Sequence, residues 1–190
     1  MKFNKTVQAM QKLGSNVVRE GKGILKKKKK TTSSNTLYNE FDYMVTSSKD
    51  NVTLEWFFGN ANDYWQFVDE GVRGAGGFKG SGKARGQGSP FKFGSGKSKG
   101  NWKDFNLSIK KWIKNKPLKL RGSKGRFIEK NKTNINSIAY LIQRSIFQRG
   151  LERTQFFSKP FTQQLKQQTE NITNAFADDL ELALEKTLKD

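Results

Sequence analysis

Residues 71–132 hold 18 of the chain's 36 lysines and arginines but only two of its 17 acids, and no segment so charged can form the interior of a globule. The flanks are close to balance, with 11 basic against eight acidic residues over 1–70 and seven against seven over 133–190. The formal +19 therefore divides as +3, +16 and 0. A block of this kind must lie in solvent or against something anionic. Phosphate is the natural counterpart, because a lysine-rich surface gains affinity for nucleic acid by releasing the counterions condensed on it.

The length, 190 residues with 34% hydrophobic content, suits one domain with a long excursion better than a uniformly compact chain. The expected organisation is a single domain over 1–190, with 71–132 a basic, glycine-rich insertion made of a loop and a short helix. No window approaches the roughly 20 apolar residues of a membrane span, and the N-terminus Met1-Lys2-Phe3-Asn4-Lys5 lacks a signal-peptide core. The expectation is a protein made in the cytosol, with no membrane partner. Neither cysteine nor histidine occurs, which removes the thiolate and imidazole chemistry of most zinc sites, Cys-His nucleophiles and Ser-His-Asp triads. No enzyme activity and no cofactor are expected.

Along the first third, Phe3, Val7, Met10, Leu13, Val17, Ile24 and Leu25 recur at three- and four-residue steps, the signature of an amphipathic helix. Gly14, Gly21 and Gly23 are expected to weaken it and fray its end. Lys26 to Lys30 form a basic run, either favoured by the helix macrodipole or simply solvated, before the polar turn 31–35. Leu37, Phe41, Tyr43 and Val45 then mark one side of a strand. Val52, Leu54, Trp56 and Phe58 alternate with Asn51, Thr53, Glu55 and Phe57 to mark a second, and the polar link 47–51 is short enough for a hairpin. The apolar face of that pair requires cover, and the terminal helices are the available partners.

The segment Asn60 to Gly71 is aromatic and ends in acids. Asp69 and Glu70, with Asp63 nearby, admit a Mg²⁺ site of a nuclease, since hard cations take carboxylate oxygens. A helical turn with Tyr64, Phe67 and Val68 inward and the acids facing the basic segment explains the same residues without chemistry, and no metal is assigned. From Gly71 to Gly100, 11 of 30 residues are glycine, seven are Lys or Arg and none is acidic, which predicts a long flexible loop. Lys83 is followed by Ala84 and the spacing is not that of a P-loop, so nucleotide binding is excluded. Such a loop either tracks a DNA backbone, lines a channel or anchors to a neighbour, or else is a tolerated insertion. The complete lack of acids favours the former.

Asp104 is expected to cap a short helix with Phe105, Ile109, Trp112 and Ile113 on one face and Lys110, Lys111, Lys114 and Lys116 outside, stopped by Pro117. Leu118 to Phe127 is again basic and punctuated by glycine. In the last third, Thr133 or Asn134 opens a helix with the stripe Ile135, Ile138, Leu141, Ile142 and Ile146, and Gly150 stands where a left-handed cap belongs. Residues 154–161 form an aromatic connector. Leu165, Ile172, Phe176, Leu180, Leu184 and Leu188 mark a helix over 161–188, whose stripe serves the core or, because of its length, a subunit contact. The fold class is thus α+β, a small antiparallel sheet packed by N- and C-terminal amphipathic helices.

This arrangement resembles the head-to-tail joining and tail-completion proteins of the neck of tailed bacteriophages. The resemblance is carried by the N-terminal helix, the hairpin from Thr36-Leu37-Tyr38 into Val52-Thr53-Leu54, the segment from Ala61 to Gly71, and Gly150 to Phe157 leading into a C-terminal helix. It spans most of the chain outside 74–132. It implies a virion protein without catalytic residues, forming a homo-oligomeric ring between portal or adaptor and tail, through which genomic double-stranded DNA passes. Under that reading Trp65, Phe67, Asp69 and Glu70 serve a subunit or core contact. Lys79, Lys83, Arg85, Lys92, Lys97 and Lys99, with Lys110, Lys111 and Lys114, meet DNA or a partner. A stand-alone nucleic-acid-binding protein is the alternative from a different class.

Overall fold

The computed structural model describes residues 3–28, 36–77, 83–95, 101–115, 119–122, 124–129 and 131–189. Their contacts divide into two compact units, one made of 1–69 and 154–190, the other of 70–153. Each has a core of its own. The polar turn 31–35, the end of the basic run at Lys29 and Lys30, and Pro117 lie outside the described residues.

In the first unit, helix α1 (Asn4–Lys27) runs unbroken through all three glycines. Leu13, Val17, Val18 and Leu25 are buried along its inner side. Gly14 and Gly21 belong to that side: a Cβ on Gly14 would overlap the ring of Tyr43, and one on Gly21 would lie 2.6 Å from both the Phe41 ring and the Phe156 carbonyl. The missing side chains let neighbouring elements lie against the helix, and this packing outweighs the poor helix propensity of glycine.

Residues expected to begin a strand instead form a helical turn, α2 (Thr36–Glu40), in which the Phe41 N–H donates to the Leu37 carbonyl (3.1 Å). Leu37 and Phe41, both buried, are four residues apart, a spacing that fits one helical turn and two strand periods equally. The hairpin then follows as expected. Strand β1 (Asp42–Ser47) pairs antiparallel with β2 (Val52–Phe57), Ser47 opposite Val52 and Asp42 opposite Phe57. The Ser48 N–H closes the turn on the Asn51 carbonyl (2.9 Å). Tyr43, Leu54 and Trp56 pack against the core while Met44 and Phe57 face solvent, so one face is covered, by α1.

A 3₁₀ turn (Gly59–Ala61) and helix α3 (Trp65–Glu70) follow. Phe58 stacks on Phe41 (5.2 Å between centroids) and on Trp65 (4.2 Å), with Phe156 edge-on to Phe41 (5.5 Å). Phe156 sits in the connector that leads into the last helix, α6 (Ser158–Lys189). This helix lies along α1, but its inner side is rich in polar groups: Gln164, Gln168 and Asp179 are buried, beside the fully buried Pro160 and the half-buried Phe161 and Ile172. Gln164 donates to Glu20 (2.7 Å) and accepts from Asn16 (3.1 Å) across the pair of helices. The expected stripe is largely on the outside.

The second unit contains two-residue strands β3 (Val72–Arg73) and β6 (Gly150–Leu151), paired antiparallel, and the hairpin of β4 (Leu120–Arg121) and β5 (Phe127–Ile128). Helices α4 (Trp102–Asn115) and α5 (Lys132–Arg149) pack together over Ile113, Ile135 and Ala139. By its contacts α5 groups with the basic segment, so the separate unit is 70–153 and not 71–132 alone. The N-cap of α4 is Asn101, whose Oδ1 accepts the Asp104 N–H (2.8 Å); Asp104 sits three residues on and its carboxylate bonds back to the Asn101 side chain. Helix α5 opens earlier than expected because Asn131 caps it, accepting from the Asn134 N–H (2.8 Å). Within α5, Leu141 is 61% exposed, while Gln143 is fully buried.

Candidate nucleic-acid interface

By unit, 21 of the 36 basic residues but only four of the 17 acids fall within 70–153, giving that unit +17 and leaving +2 for the rest. Sixteen of those 21 basic residues lie among the described residues of the unit, which has its own core.

The glycine-rich stretch is held in part by backbone pairing, contrary to the expectation of a flexible loop. The Arg73 N–H donates to the Phe91 carbonyl and Phe93 N–H to the Arg73 carbonyl (both 2.9 Å), Ala75 N–H to Phe147 (2.9 Å) and Arg85 N–H to Arg149 (2.7 Å). Glycine serves close approach here. Gly86, with φ +66°, leaves no room for a Cβ beside the Val72 carbonyl, and Gly150 (φ +92°, ψ −175°) adopts a glycine-only geometry that turns the end of α5 straight into β6 instead of forming the left-handed cap. Ser89 is buried and donates its hydroxyl to the Gly71 carbonyl (2.8 Å).

Of the expected contact residues, Lys83, Arg85 and Lys92 are exposed on this scaffold, and Lys79, Lys97 and Lys99 lie outside the described residues. On α4, Lys111 and Lys114 are exposed and Lys110 is half-buried, while Trp102 and Trp112 expose 44% and 43% of their surface. Sequence reasoning did not select the hairpin of β4 and β5. It carries Lys119, Arg121, Lys124 and Arg126, all exposed, and Phe127, 59% exposed, with the Arg121 guanidinium 4.4 Å and the Lys119 ammonium 5.5 Å from its ring centroid. The signal was present in Leu118 to Ile128, an alternation interrupted by Gly122 and Gly125.

The residues expected at a subunit or core contact divide. Trp65 is held in the core by its stack on Phe58, and Asp69, 2% exposed, accepts the N–H groups of Phe157 (2.8 Å) and Ser158 (3.3 Å), capping α6. Glu70 pairs with Arg153 (2.7 Å) in the second unit. With Asp69 committed to backbone N–H groups, the paired-carboxylate pattern is that of a cap and an ion pair. Among the described residues no three acidic side chains gather as metal ligands. Tyr64 and Phe67, expected inward, are 37% and 41% exposed.

Among the described residues of the first unit, an exposed apolar line lies on α6: Phe176, Leu180, Leu184 and Leu188 follow at four-residue steps, between 43% and 86% exposed, and Phe176 stacks on Phe3 (6.0 Å). Beside it, Asp179 is 3% exposed and accepts from the Lys5 N–H (3.1 Å), the Thr6 N–H (2.8 Å) and the Thr6 hydroxyl (2.8 Å). Burial alone would push its carboxyl up, but the Thr6 and Lys5 hydrogen bonds outweigh that and hold it below the usual carboxylate value. Lys5 in turn pairs with Asp178 (2.8 Å), whose hydrogen bond raises the ammonium's pKa.

Among the described residues no helix is long and apolar enough to cross a membrane. The chain matches no protein-family model, and comparisons with curated proteins and with solved structures find no match.

Proposed function

We propose that this is a structural virion protein of a tailed-phage neck, a ring-forming component of the head-to-tail connector between portal or adaptor and tail, working by assembly and not by catalysis. The observation that carries the reading is the segregation of charge: +17 falls within one of the two compact units, and the other is close to neutrality. A closed ring of heterologous contacts would repeat that excess around an axis, where the field of several copies acts on DNA within a Debye length of about 8 Å. The exposed line on α6 supplies an apolar surface of the kind a subunit or neighbour covers, while of Trp65, Phe67, Asp69 and Glu70, expected at a subunit or core contact, Trp65 and Asp69 make contacts within the chain.

Quantitative mass spectrometry of gradient-purified particles, scaled to the major capsid protein, tests the proposal. A small fixed copy number, about six or twelve, is expected of a closed ring; absence from particles overturns it. A stand-alone nucleic-acid-binding protein is the second reading, favoured by the exposed aromatic and cationic side chains on α4 and on the β4–β5 hairpin. It requires binding that weakens steeply with salt, and no closed oligomer.

A further inference from the structure

We infer that the β4–β5 hairpin is a duplex-DNA-binding element that grips the phosphate backbone through Arg121, Lys124 and Arg126. The ribbon has two unlike faces. Ile128 packs on the core formed by Ile113, Ile135 and Ala139, which fixes the hairpin to the α4–α5 pair. One residue earlier the alternation turns outward, and Phe127 stands directly opposite Arg121 in the ladder.

The turn is closed by the Gly122 N–H on the Arg126 carbonyl (2.9 Å) and the Gly125 N–H on the Gly122 carbonyl (3.0 Å), with Gly125 at φ +73°. Arg121 is held by its bond to the Gly125 carbonyl (3.0 Å) and by the Phe127 ring beneath its guanidinium. Among the described residues, no carboxylate pairs with Lys119, Arg121, Lys124 or Arg126. Four cations on so short a hairpin, none of them paired with a carboxylate among the described residues, make an anion-binding surface whose arginine is already held, so little side-chain entropy is lost on contact.

Two features select a duplex. A two-stranded ribbon has the width that the major groove admits. The Arg121 guanidinium covers one face of Phe127, so base stacking of the kind that grips a single strand is limited to the other face, while the exposed cations around it serve backbone contact.

The test is the salt dependence of binding by the full-length protein to a fluorescent duplex of arbitrary sequence. Replacing Arg121, Lys124 and Arg126 together by Gln is expected to weaken binding at least about tenfold near physiological salt and to reduce the slope of log K against log salt by about 2.7. The same loss of charge placed on α6, at Lys159, Lys166 and Lys186, is expected to leave the slope unchanged. A hairpin variant with the wild-type helical circular-dichroism spectrum and the wild-type slope overturns the proposal. So does tighter binding to a single-stranded RNA of equal length than to the duplex. The inference stands apart from the neck reading, which particle composition decides.

Discussion

Glycine at the residue scale has opposite meanings within one helix. Gly14 faces the Tyr43 ring, whereas Gly23, nine residues further on, would present a new Cβ to open space. Gly23→Ala is therefore expected to stabilise the first unit by roughly 0.5–1 kcal/mol through helix propensity and the unfolded-chain entropy. Gly14→Ala is expected to destabilise it by about 1–3 kcal/mol, as overpacking does; urea denaturation of the two variants reads both signs. The sequence holds three identical glycines here, and nothing local separates the one that admits a ring from the one that admits nothing. The helix caps are hidden for the same reason. Phe3, at the N-cap of α1, makes no side-chain bond, and the acceptor is Asp179, more than 170 residues away. Because its folded carboxyl is the stronger acid, Asp179 contributes its full stabilisation above the unfolded value of about 3.8 and loses it as pH falls through the lower folded value. Asp179→Asn is expected to lower stability by about 1–2 kcal/mol at pH 7, with the gap to the parent protein closing below about pH 4 in acid titrations of the unfolding midpoint.

Elements were legible where one period dominates over several turns or strand pairs. Strand β2 alternates strictly and folds as read; α1 keeps its stripe from Leu13 to Leu25. Where a spacing of four serves both periods, as from Leu37 to Phe41, the choice went to the helical turn. On α5 and α6 the apolar letters misled, because polar side chains fill part of the inner faces. Gln143 is the clearest instance: fully buried, it donates to the Trp102 carbonyl and accepts from Asn106, both at 2.7 Å, so that α4 is tied to α5 by a hydrogen-bonded link inside an apolar contact. Removing it takes away the side-chain donor to the Trp102 carbonyl and the acceptor of the Asn106 amide. Gln143→Ala is expected to destabilise the protein by about 2–4 kcal/mol, more than a surface change of equal size, and Gln143→Glu to be tolerated no better, since its carboxylate cannot donate to the Trp102 carbonyl. Thermal unfolding followed by circular dichroism compares the three.

For the whole molecule, the division of the chain is itself testable, because the two points where 70–153 leaves and rejoins the first unit are adjacent. The Thr154 N–H donates to the Asp69 carbonyl at 3.1 Å and to the Val68 carbonyl at 3.2 Å, and the Gln155 N–H returns to Asp69 at 2.9 Å. A short Gly-Ser link can therefore join Asp69 to Thr154 without stretching either end, and closing so small a loop adds little entropy cost. The aromatic cluster of Phe41, Phe58, Trp65 and Phe156 lies wholly within the retained residues, as do both acidic caps. The shortened protein is expected to fold cooperatively, with a single unfolding transition, and to carry a formal charge near +2. Duplex binding should fall to the level of a near-neutral protein, its salt slope flattened, because nearly all the phosphate-binding charge has gone. The intact protein supplies the reference in the same titration. A shortened chain that is folded and still binds the duplex as the intact one does would place the anion-binding surface on the α1–α6 unit, and the segregation of charge would then not be what directs this protein to its partner.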